Sequence, residues 1–138
     1  MMKIAGFASA LSLVGGMAMA DAHGMAPMVE AGDQDVSNGI VSATKVMAGE
    51  NGWMVVHRTD ESGKPGPVVG YAPLRMGENM DVAAILQEDV KSGEMLMLMV
   101  HAETGGMKTG VFEYTLGATE DGPIKPDGKL VMATITAK

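Results

Sequence analysis

Hydrophobic positions follow two different patterns along the chain. Residues 4–14 form one short, nearly unbroken apolar run behind the positive Lys3. Ala18-Met19-Ala20 then offers the small-x-small pattern that signal peptidase cuts behind, and Ala20-Asp21-Ala22 overlaps it. The run is too short to cross a membrane and no second run follows, so no membrane span is expected. Residues 1–20 are therefore expected to be a cleaved signal peptide, with the mature chain starting at Asp21 or His23. The expected location is periplasmic or secreted.

Downstream, residues 21–36 mix Gly, Pro, Met and acids without a period, as a flexible leader would. Short runs rich in β-branched and aromatic residues then recur between turn residues at 40–47, 53–58, 68–74, 81–86, 95–102, 111–116 and 130–136. Pro73 cannot donate to a ladder, which puts the third run at a sheet edge. The fifth run is apolar on both sides: Leu96, Leu98 and Val100 point one way, while Met95, Met97, Met99 and His101 point the other. Such a strand belongs in the middle of a sheet with both faces covered. With no amphipathic helix in the pattern, the expected fold is all-β. It is an antiparallel immunoglobulin-like β-sandwich of about seven strands over residues 37–138, after the signal peptide and leader.

Composition narrows the function. The chain has no cysteine, so neither a disulfide nor a lipobox anchor is available. Without residues 1–20, nine Lys and Arg face 17 acids, a net charge of −8 that makes nucleic acid and anionic membrane poor partners. No Gly-x-Ser-x-Gly elbow, His-Glu-x-x-His helix or phosphate-cradling loop is present. The paired acids Asp33/Asp35, Glu88/Asp89 and Glu120/Asp121 fall where solvated loop carboxylates are expected. These absences argue against an enzyme.

Methionine is unusually frequent: 15 residues, four of them within 1–20. The plain explanation is that Met fills core gaps in a chain with few aromatics. The alternatives are soft-metal ligation and service as an oxidant sink. Cleavage after Ala20 leaves Asp21-Ala22-His23, whose amine, amides and imidazole can close a square plane around copper(II) or nickel(II), resembling the amino-terminal copper- and nickel-binding motif. Cleavage after Ala22 makes His23 the first residue, and Met25 and Met28 follow as donors for copper(I). A second candidate cluster is His101 with Met97 and Met99 on one strand face. It resembles the His-x-Met spacing of periplasmic copper chaperones of cupredoxin-like fold, in reversed order. His57 ends another strand and can be its neighbour across the sheet. The plainer alternative is that both histidines cap their strands at the water boundary.

Three segments in order carry a wider resemblance. Trp53-Met54-Val55-Val56-His57 precedes Gly63-Lys64-Pro65-Gly66-Pro67-Val68-Val69-Gly70; Leu96-Met97-Leu98-Met99-Val100-His101-Ala102-Glu103 precedes Thr104-Gly105-Gly106; and Gly110-Val111-Phe112-Glu113-Tyr114 follows. This order resembles a domain family of unknown function found in exported proteins of haloarchaea and some bacteria, over residues 38–137. The resemblance implies a β-sandwich and export, and no activity. The chain departs from it at Glu103, where Asp is usual, and in its methionine content. The expected function is an exported, non-enzymatic binding or structural module of the cell envelope, its partner an envelope protein or a metal ion. The alternative is a periplasmic copper-binding protein for carriage or buffering.

Overall fold

A computed structural model describes residues 25–138 of the chain. The expected signal peptide and His23 lie outside the described residues. Seven strands follow in order: β1 (Met28–Glu30), β2 (Ile40–Ala48), β3 (Gly52–Thr59), β4 (Val68–Leu74), β5 (Gly77–Ile85), β6 (Met95–Ala102) and β7 (Met132–Thr136). They form two antiparallel sheets, ordered β1-β2-β5 and β4-β3-β6-β7. The chain leaves the first sheet after β2, makes the β3-β4 hairpin in the second, and returns as β5 beside β2. This is the Greek-key connection of an immunoglobulin-like sandwich.

The core lies between the sheets. Val41, Ala43, Val46 and Ala48 from β2 meet Met54 and Val56 from β3, Leu96, Leu98 and Val100 from β6, and Ile135 from β7. Each buried Val, Leu, Ile or Met among them contributes about 1.5–3 kcal/mol relative to an exposed one. Inward positions on β2 shift from odd to even numbers between Ala43 and Val46. The shift falls beside Asp81 of β5, whose φ of 50° breaks the regular pleat. β6 is central, as its two apolar faces require, and β4, carrying Pro73, is an edge.

Two expected segments differ. Residues 111–116 are not a strand: Gly110 and Gly117, at φ 80° and 84°, turn the chain at both ends, and the stretch lies across a sheet face instead of joining an edge. Residues 28–36, expected as part of a flexible leader, supply β1, a bridge from Gln34 to Ala137, and the buried Val36. Ordered packing therefore begins before residue 37.

Candidate functional site

In the β3–β6 pair, Trp53 stands opposite His101, Val55 opposite Met99 and His57 opposite Met97. Opposed residues share a face. All six side chains therefore project from the outer surface of the four-stranded sheet, away from the main core. That surface is not open to water: Val55, His57, Met97, Met99 and His101 are 0% exposed.

The cover is the long connection between β6 and β7. Its residues 121–124 run alongside the end of β6, with Ala102 N–H donating to Gly122 O at 3.0 Å and Ile124 N–H to Val100 O at 3.2 Å. Phe112 and Tyr114 pack down from it onto the sheet. The Tyr114 ring meets His101 edge-on, with centroids 4.5 Å apart, and His57 at 5.9 Å. Phe112 stacks on Tyr71 at 4.4 Å and reaches Trp53 at 5.5 Å. All four aromatic residues of the described chain thus gather in one cluster around the two histidines. At the other end, Gly52 lies so close under β6 that a Cβ there would collide with the His101 carbonyl oxygen.

His57 and His101 lean toward each other until their Nε2 atoms are 3.2 Å apart. Their other ring nitrogens are committed: His57 Nδ1 lies 2.8 Å from Gly66 O, and His101 Nδ1 lies 2.6 Å from Asp121 O. A carbonyl only accepts, so both Nδ1 atoms carry the proton. A neutral imidazole has one N–H, which leaves both Nε2 atoms as bare lone pairs pointed at each other. By position alone every buried side-chain nitrogen and oxygen has a partner. By proton count, three contacts need three protons and two neutral rings have two.

An extra proton could close the gap, but burial opposes it. Loss of hydration pushes His57 below the ordinary imidazole range and His101 down to about 4, against the pull of the Gly66 and Asp121 carbonyls and the Asp121 charge. Two neutral imidazoles with converging lone pairs could hold a cation between them. The ring N–H to carbonyl bonds behind them are the kind that orient metal-bound histidines.

Asp121 is fully buried, where a solvated loop acid was expected. Its carboxylate accepts Thr104 N–H at 3.1 Å and Glu113 N–H at 2.9 Å, tying the cover together. It also leaves one negative charge beside the imidazole pair. Neither histidine sits at the water boundary as a strand cap would.

The structure brings His57, His101, Met97 and Met99 to one face. It does not bring Met25 and Met28 there: Met25 is 53% exposed and Met28 pairs with Met47 on the other sheet. Among the described residues, no three His, Asp or Glu converge as a metal-binding group. Sequence reasoning missed Gly66, Tyr114 and Asp121. The only available signal was two aromatics in a Gly-rich stretch read as a strand.

Fold and site together define a seven-stranded antiparallel β-sandwich with an imidazole pair sealed under a loop on its four-stranded sheet. Residues 27–138 match the family described as a domain of unknown function (DUF7282), and the chain belongs to that family. No curated protein and no solved structure matches the chain.

Proposed function

We propose that this protein is an exported, non-enzymatic module of the cell envelope that holds copper, for carriage or buffering rather than turnover. The observation that supports this best is the His57–His101 pair, whose Nε2 atoms face each other at 3.2 Å while both Nδ1 atoms are held by backbone carbonyls. A site sealed on all sides suits a bare ion better than an organic substrate. The amino-terminal run of residues 4–14 and its cleavage pattern support export.

Titration of the mature protein with copper(I) under reductant, against a chromophoric chelator, tests the reading. One ion per chain bound more tightly than micromolar is the expected result. Weaker binding of both copper(I) and copper(II) would end it.

A second reading, a packing module for an envelope partner, draws on the three-stranded sheet. There Ile85 is 75% exposed and Met80 58%, with Ile40, paired to Ile85, at 41%. A pull-down that loses its partner on Ile85→Lys but not on His101→Gln would favour it.

A further inference from the structure

We infer that the ion is copper(I), bound on the outer face of the four-stranded sheet, beneath the β6–β7 connection, by Nε2 of His57 and Nε2 of His101 and completed by the thioethers of Met97 and Met99. This rests on the copper reading above and names the site and the oxidation state.

The spacing selects the geometry. Metal–imidazole bonds are about 2.0 Å long, so two nitrogens 3.2 Å apart subtend roughly 105° at the ion. Linear coordination would hold them about 4 Å apart, and neighbouring corners of a square plane about 2.8 Å, for the same bond length. The pair therefore matches a tetrahedral or trigonal ion and not the tetragonal preference of copper(II).

The remaining donors select the metal. On the same face, Met97 stands directly across from His57, and Met99 is the next residue toward His101. Both are fully buried, as are the two rings. Among the described residues no third His, Asp or Glu joins the pair, so zinc, which takes nitrogen, thiolate and carboxylate ligands, finds no set there. Thioether sulfur is a soft donor and selects copper(I) among the first-row ions. Four neutral ligands leave the ion its single positive charge. The carboxylate of Asp121, buried and one hydrogen-bonded carbonyl away from His101, answers it.

Two pre-set features hold the donors. The carbonyls of Gly66 and Asp121 fix both rings in the tautomer that turns Nε2 toward the ion. The aromatic lid of Phe112 and Tyr114 excludes water and oxidant, which keeps copper in its reduced state.

The test uses the mature protein loaded with copper(I). X-ray absorption should show two nitrogen and two sulfur neighbours. In a ¹⁵N spectrum the Nε2 signals of both His57 and His101 should shift without paramagnetic loss while the Nδ1 signals stay protonated. Met97→Leu with Met99→Leu conserves core volume; it should remove the sulfur neighbours and weaken binding by more than the 10–100-fold typical of an outer-sphere change. His57→Gln and His101→Gln should each abolish tight binding. Copper(I) that binds one-to-one, leaves both ring signals unmoved, and is lost instead on changing His23, Met25 and Met28 would overturn this site while leaving the copper reading standing. No tight binding at all would overturn both. Because the spectra are recorded on the unaltered protein, a variant that fails to fold does not decide the matter.

Discussion

Asp121 holds His101 with one end and the cover with the other. Its backbone oxygen takes the Nδ1 proton at 2.6 Å, and its carboxylate takes the Thr104 and Glu113 amides. Substitution by Ala keeps the first contact and removes the second, leaving two amide donors under the lid without partners. Hydrogen bonds to a charged group contribute about 1.5–3 kcal/mol, so Asp121→Ala should cost at least about 2 kcal/mol. The φ of 46° at this position is tolerated by Asn better than by Ala, so Asp121→Asn should cost less. Urea unfolding gives both values, and hydrogen exchange at Thr104 and Glu113 should quicken in step.

Trp53 anchors the other end of the aromatic cluster. Its indole N–H donates to a Glu103 carboxylate oxygen at 2.7 Å, and the ring is only 7% exposed. Aspartate is one methylene shorter and cannot span that gap without moving the strand end. Glu103→Asp should cost about 1–2 kcal/mol and shift the tryptophan emission to the red as water reaches the indole. Unchanged emission would show that the bond does not hold the ring.

These contacts mark where sequence reasoning stopped. Alternation in Met95–Ala102 showed its two apolar faces, because period two is a local property of a strand. Pro73 announced its edge for the same kind of local reason. The imidazole pair was half legible. Residue types on one face were visible, but the meeting of His57 with His101 depends on register between strands 44 residues apart. The lid was not legible at all. Val111 to Leu116 has strand composition, but Gly110 and Gly117 turn the chain at both of its ends and lay it across the sheet face as a cover. Asp121 looked like any loop acid because its burial is set entirely by that cover.

Arg58 and Glu94 give the stability a pH dependence. The Glu94 carboxylate accepts the Lys91 amide at 2.6 Å and Arg58 at 2.9 Å. The Lys91 hydrogen bond is the larger cause, with the Arg58 charge assisting, of a pKa below the ordinary 4.5. A lowered folded pKa means that the unfolded chain takes up the proton first. The contribution is present above about pH 4.5 and fades as pH falls through the lower folded value. The carboxylate is half-exposed, so its ion pair contributes about 1 kcal/mol or less. Stability of Glu94→Gln should lie below wild type by a constant amount from pH 7 to 5, and the two curves should merge in stronger acid. A gap that stays undiminished however far the pH is lowered would point to packing and not to charge.

Methionine oxidation separates the sealed sulfurs from the free ones. Met107, at the tip of the cover, is 93% exposed and Met80 is 58% exposed, whereas Met97 and Met99 are 0% exposed. Peroxide reaches a thioether only where solvent does, so Met107 and Met80 should become sulfoxides within minutes of mild treatment while Met97 and Met99 persist. Sulfoxide at either sealed position would place a polar oxygen against Val55 and the imidazole rings. Its formation should therefore track unfolding, rising with urea along the same curve as the loss of near-ultraviolet dichroism. Peptide mass spectrometry at each urea concentration reads this directly. Oxidation of Met97 or Met99 in the folded protein at the rate of Met107 would show that the lid opens freely, and would remove the oxidative protection argued for copper(I).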